Sequence, residues 1–143
     1  MEKFMKNIQL IARSADLFRE EELKNLNIGG CQAKYLLAVA REPGISQEEL
    51  ARSLFVNKSN VARQIEALER AGFVRREENE HDRRAVLVYP TDKLKEALPR
   101  IRDVFAAWRA LVTEGFTEEE REMLARLTGK LVENARRYME GRK

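Results

Sequence analysis

Residues 46–89, SQEELARSLFVNKSNVARQIEALERAGFVRREENEHDRRAVLVY, change their periodicity part-way along. In the first half Leu50, Ala51, Leu54, Val56, Val61, Ile65 and Leu68 recur at the spacings that pack two short helices against each other. Ser46 with Glu49 forms a capping box that starts the first helix, which ends near Leu54. Phe55-Val56-Asn57 makes the turn, and Asn57 is the N-cap of a second helix from Lys58 to Ala71, ended by Gly72. In the second half Val86 and Val88 alternate with Leu87 and Tyr89, the period of a strand. Phe73 and Val74 start one strand, Glu77 to Asp82 makes a charged tip, Arg84 to Tyr89 returns, and Pro90 stops the ladder.

Helix, tight turn, helix and hairpin in that order predict a winged helix-turn-helix within residues 30–90. The flanks are helical. Towards the amino terminus, Phe4, Ile8, Ile11, Ala15 and Phe18 step by four and three and draw a narrow apolar stripe on one long helix. Asn25 to Gly30 reads as a break, with Gly29 capping a helix from Gly30 to Arg41 that Glu42-Pro43-Gly44 stops. Ile45 fits a short strand that completes the sheet of the wing. On the other side, Thr91 and Asp92 open a segment whose Leu94, Leu98, Ile101, Phe105, Trp108 and Val112 share a face. Pro99 inside it predicts a kink near Lys95 to Pro99, or a restart at Pro99. Gly115 closes that segment, Thr117 with Glu120 is a second capping box, and Met123, Leu124, Leu127, Leu131, Ala135 and Tyr138 carry the last helix. The fold class is mainly α, with a small β wing and long terminal helices.

A chain of 143 residues fits a single domain, 1–143, with core enough to need neither metal nor disulfide. No run approaches the roughly 20 apolar residues that cross a bilayer, and the first residues lack an uninterrupted apolar signal segment, so a cytoplasmic protein without membrane partners is expected. One cysteine excludes an intramolecular disulfide and a multi-cysteine zinc site. With one histidine, no phosphate-binding glycine loop and no ligand-spaced cluster, neither an enzyme nor a cofactor or metal protein is indicated. The net charge of +3 is too small to imply nucleic acid by itself, so its distribution matters more. Acidic residues gather in Glu20 to Glu22 and Glu118 to Glu122, whereas Lys58, Arg63, Arg70, Arg75, Arg76, Arg83 and Arg84 crowd the middle.

The second helix of the motif leaves Lys58, Ser59, Asn60, Arg63 and Gln64 on its outer face, and its start offers free backbone N–H groups and a positive dipole end. That chemistry suits a phosphate backbone and base edges. Arg70, Arg75 and Arg76 read equally as phosphate contacts or as surface ion pairs with Glu66, Glu69, Glu77 or Glu78. Cys31, placed in the first turn of a helix, reads as a redox-sensitive thiol lowered by the dipole or as a small buried residue. A winged helix used only for protein contact is the alternative to a DNA reader.

The order of elements, together with VNKSNVAR at 56–63, LERAGFVRR at 68–76 and Asp82-Arg83-Arg84 followed by Thr91, resembles the MarR family of transcription regulators. The resemblance covers nearly the whole chain. It implies a homodimer, with residues 1–24 and 91–140 as dimerisation helices, that binds a double-stranded DNA operator as a ligand-responsive repressor. It implies that Arg84 enters the minor groove braced by Asp82, with Arg83 beside it, and that Lys58, Ser59, Asn60, Arg63 and Gln64 meet the major groove. It further implies a small anionic or phenolic effector, for which Tyr35, Phe105 and Trp108 are candidate pocket residues. Departures from the family pattern stand at Gly29, Pro90 and Leu94, away from that DNA surface.

Overall fold

Local caps place the central helices where the sequence puts them. The structure is a computed structural model and describes residues 1–82 and 84–142. The Ser46 hydroxyl accepts the Glu49 N–H at 3.0 Å and starts α3 (Gln47–Leu54). The Glu49 carboxylate accepts that hydroxyl at 3.0 Å instead of reaching back to the main chain. Phe55 turns the chain at a left-handed φ of 55°, and Asn57 Oδ1 accepts the Asn60 N–H at 2.7 Å to start α4 (Lys58–Arg70). Behind α4, Gly72 at φ +87° lets its own N–H reach Glu69 O and the Phe73 N–H reach Leu68 O. This paired closure needs a residue without a Cβ at the left-handed position.

The wing follows directly. β2 (Val74–Glu78) and β3 (Val86–Pro90) pair antiparallel, Val74 opposite Pro90 and Glu78 opposite Val86. β1 (Ile45–Ser46) adds to the other side of β3, so the order is β1-β3-β2. The tip lies later in the chain than expected, at residues 79–85, because pairing holds Glu77 and Glu78 in β2 and the return strand begins at Val86 rather than Arg84. Pro90 closes the ladder from within it: its missing N–H costs nothing at a strand end, and the next N–H, of Thr91, bonds Phe73 O at 3.2 Å.

α1 (Phe4–Glu22), a 3-10 turn at Lys24–Leu26 and α2 (Ala33–Arg41) precede this motif. α2 starts at Ala33, not at Gly30, and Gly29 is not its cap. The reason is tertiary. A Cβ on Gly30 would lie 2.0 Å from the Asp16 carbonyl oxygen, so Gly30 is the residue that lets α1 approach. Arg19 Nε donates to Gly30 O at 3.3 Å, and the Gly29 N–H donates to Gln32 Oε1 at 2.9 Å, bonds that hold residues 29–32 out of the helix. α5 (Asp92–Val112) runs through Pro99 without a restart, and α6 (Glu118–Glu140) begins at a complete Thr117–Glu120 capping box.

The chain forms two compact units, Met1–Trp108 and Arg109–Lys143. The first has a single apolar core of Tyr35, Leu36 and Val39 from α2, Leu50 from α3, Val61, Ile65 and Leu68 from α4, Phe73, Val74 and Val88 from the wing, and Leu94, Ile101 and Val104 from α5. The second carries α6, none of whose residues is buried. The Gly30 contact gives a stability test. Gly30→Ala forces α1 away from the turn and is expected to cost about 2 kcal/mol in denaturant unfolding, the usual penalty of overpacking; a variant as stable as the parent shows that α1 does not press on Gly30.

Candidate nucleic-acid interface

The start of α4 presents its polar residues through a chain of local bonds. Asn57 Oδ1 accepts both the Asn60 N–H and the Ser59 hydroxyl, the latter at 2.9 Å, and Asn60 Oδ1 accepts Arg63 Nη2 at 3.3 Å. Ser59 and Arg63 are thereby held on the exposed side, opposite the buried Val61, Ile65 and Leu68. Lys58 is exposed and loosely paired with Glu48 at 3.3 Å, a contact worth little in water. Gln64 departs from the expected face. It is half-buried on the flank towards α2, and its carbonyl accepts Gln32 Nε2 at 3.3 Å.

At the wing tip Asp82 Oδ1 accepts the Arg84 backbone N–H at 3.0 Å and Arg84 Nε at 3.3 Å, while the Arg84 side chain remains 94% exposed. Arg83 lies outside the described residues. Between this tip and the helical motif runs an open cleft of about 450 Å³ lined by Ser46, Gln47, Glu48, Lys58, Asp82, Arg84, Ala85 and Val86. Lys58 and Arg84 thus stand on two sides of one groove.

Arg70, Arg75 and Arg76 are paired with carboxylates. Arg70 meets Glu66 at 3.3 Å, Arg75 pairs with Glu77 and lies over the Tyr89 ring, and Arg76 meets Glu69. The last pair is the most elaborate: Glu69 Oε1 accepts Arg76 Nε and Nη2 at 3.1 and 2.9 Å, and Oε2 accepts the Arg76 main-chain N–H at 3.1 Å. The Arg76 guanidinium holds the Glu69 carboxyl below the ordinary glutamate range, against a smaller upward push from burial. Glu69 and Thr91 stand in the motifs read from the sequence, as a possible ion-pair partner and as the opening of a helix, without the bracing roles their bonds give them. The Thr91 hydroxyl lies 2.6 Å from Gly72 O and 2.9 Å from Phe73 O as donor, and accepts the Leu94 N–H at 3.3 Å. The threonine following the wing was the available signal.

Cys31, Tyr35, Phe105 and Trp108 sit apart from this face, and none of them lines the cleft. Cys31 is exposed and precedes α2 instead of lying in its first turn. Its thiol donates to Asp16 Oδ2 at 3.5 Å, and burial together with the Asp16 charge raises its pKa, opposite to the dipole effect expected. Tyr35 is buried in the core, with its phenol pushed up by burial. Phe105 lies under the Arg19 guanidinium at 4.8 Å, and Trp108 packs on Phe18 with ring centroids 5.4 Å apart. His81 is exposed at the tip. Among the described residues no group of metal ligands converges, and no helix is long and apolar enough to cross a membrane.

A capped helix-turn-helix with an exposed polar face and a three-stranded wing defines a winged-helix regulator, and comparison with known proteins specifies which kind. The family model described as the MarR family matches residues 26–85. The chain is 31% identical over 140 residues, 98% of its length and 93% of the relative's, to the uncharacterised HTH-type transcriptional regulator YybA of Bacillus subtilis. It superposes with a TM-score of 0.90 on a MarR transcriptional regulator from Methanosarcina mazei, at 28% identity over 94% of this chain and 97% of that one. A MarR family regulator from Listeria monocytogenes, solved in complex with 26mer DNA, gives a TM-score of 0.90 at 29% identity, covering 100% of this chain and 97% of its own. The chain belongs to the MarR family of transcriptional regulators.

The Glu69 pair has a pH signature. A carboxylate with a depressed folded pKa stabilises above its unfolded value, and that contribution fades as pH falls through the folded value. The stability advantage of the parent over Glu69→Gln in denaturant unfolding should be constant above about pH 5 and shrink below it. An advantage that persists unchanged into strong acid contradicts the ion pair.

Proposed function

We propose that this regulator binds duplex DNA as a homodimer, with each α4 in a major groove and each wing on a flanking minor groove. The observation that carries the reading is Arg84, an exposed guanidinium held at the wing tip by Asp82 while Arg70, Arg75 and Arg76 are occupied by carboxylates. Bracing a long side chain before contact reduces the entropy lost on binding. Ser59, Asn60 and Arg63 supply donors and acceptors for base edges, Lys58 an ammonium for phosphate, and Arg83 a second cation beside Arg84. Gln64 contributes from the edge of that face. The relative solved with 26mer DNA supports DNA as the ligand.

The apolar stripes support the dimer. Phe4, Ile8 and Ile11 on α1 are 39, 41 and 50% exposed, and Leu124, Leu127 and Leu131 on α6 are 41, 46 and 45% exposed. Each stripe needs a cover, and a second copy of residues 1–24 and 91–140 supplies it, setting half-sites roughly one helical turn, about 34 Å, apart. Occupying an operator in this way represses by excluding polymerase from cytoplasmic DNA. A small anionic or phenolic effector fits beside Phe105 and Trp108, where Arg19 places a cation over an aromatic ring, with the Tyr35 phenol on α2. Burial and the Asp16 charge raise the Cys31 pKa and so disfavour its thiolate, and the scheme does not draw on it.

The test uses a fragment selected from sheared genomic DNA by the purified chain. Binding should weaken steeply as salt rises, and Arg84→Ala should weaken it by about tenfold at fixed salt with a shallower salt slope. Equal affinity of Arg84→Ala and parent contradicts the assignment of the wing.

A further inference from the structure

Glu69 sits on the last turns of α4, away from the helix start that meets bases, yet it makes the most connected polar contact of the motif. Both of its oxygens are used, one by the side of the Arg76 guanidinium and the other by the Arg76 main-chain N–H. β2 is an edge strand of the β1-β3-β2 sheet, so its outward N–H groups have no strand to pair with. The Glu69 carboxylate takes the place of that strand at Arg76 and ties the edge of the wing to the helix beside it.

We propose that Glu69 is a positioning residue for DNA recognition, whose bonds to Arg76 set the pitch of the wing against α4 and so deliver Arg84 to its groove. This rests on the DNA-binding mode proposed above. The tip begins at Asn79, past Glu78 at the end of β2, and the cleft separates Asp82 and Arg84 from Lys58 and the start of α3. The tip is therefore aimed from its root. At about 3.4 Å per residue, a swing of ~10° at Arg76 moves a group ~10 Å further along by ~2 Å, enough to break a hydrogen bond. Thr91 and the β1 pairing hold β3 from the other side, so the root stays folded when Glu69 is lost and only its angle is freed.

A double-mutant cycle on the full chain tests this, with affinity for the selected fragment read by fluorescence anisotropy at fixed salt and folding checked by thermal unfolding. Positioning predicts that Glu69→Ala weakens binding by about tenfold in the parent but by less than about twofold once Arg84 is alanine, because a misaimed wing without its arginine has nothing left to lose. Glu69→Gln keeps an acceptor for the Arg76 N–H and should fall between parent and Glu69→Ala; it carries the same cycle if the alanine variant does not fold. Equal losses in both backgrounds, or no loss in the parent, overturn the positioning role while leaving the DNA-binding mode intact. If Arg84→Ala itself binds as tightly as the parent, the mode fails and the proposal with it.

Discussion

The joint at Gly72 is where α4, the wing and α5 meet, and the rest of the reader hangs from it. Gly72 at φ +87° closes α4 through two main-chain bonds and sends Phe73 into the core. The two carbonyls this turn exposes, Gly72 O and Phe73 O, are then within reach of one hydroxyl, that of Thr91, at the start of α5. Lys93 adds a bond to Ala71 O at 2.6 Å and lies over the Phe73 ring. A left-handed turn leaves carbonyls unpaired unless something else supplies donors, and here the segment leaving the wing does so. Helix, hairpin and following helix thereby become one mechanical piece.

That rigidity gives the sorting of charge its meaning. The motif carries many cations, yet its surface field is more local than its composition, since Arg70, Arg75 and Arg76 are spent on neighbouring carboxylates. Among the described residues Arg63 meets the Asn60 amide, and Arg84 meets the Asp82 carboxylate that holds its base. A phosphate or a base edge can replace the weak partners of exposed groups at small cost, whereas the Glu69–Arg76 pair, with three hydrogen bonds, resists exchange. Cations of the same type therefore divide into those bound within the motif and those exposed on its surface.

Local chemistry made much of this legible. Ser46, Asn57 and Thr117 cap helices because a short polar side chain before an apolar period is enough information, and α3, α4 and α6 begin where those residues say. What stayed hidden depends on contacts distant in sequence. Gly30 looks like a helix start until Asp16 is known to press on it, and the same turn moves Cys31 out of the helix to a place where burial and then the Asp16 charge raise its pKa. Gln64 looks like part of the outer face until Gln32 claims its carbonyl. The wing residues were recognisable as a set, but the strand ends shifted because pairing outlasts the charged run at Glu77 and Glu78. Glu69 was visible only as one of several carboxylates able to pair with an arginine.

The central claim is that one rigid unit reads two grooves and that two such units act together. Dimethyl sulfate reports both grooves at once, since it methylates guanine N7 in the major groove and adenine N3 in the minor groove. On the selected fragment, the account predicts two blocks of protected guanine N7 about one helical turn apart, each flanked by protected adenine N3. Protection confined to the major groove, or a single unrepeated block, would contradict it.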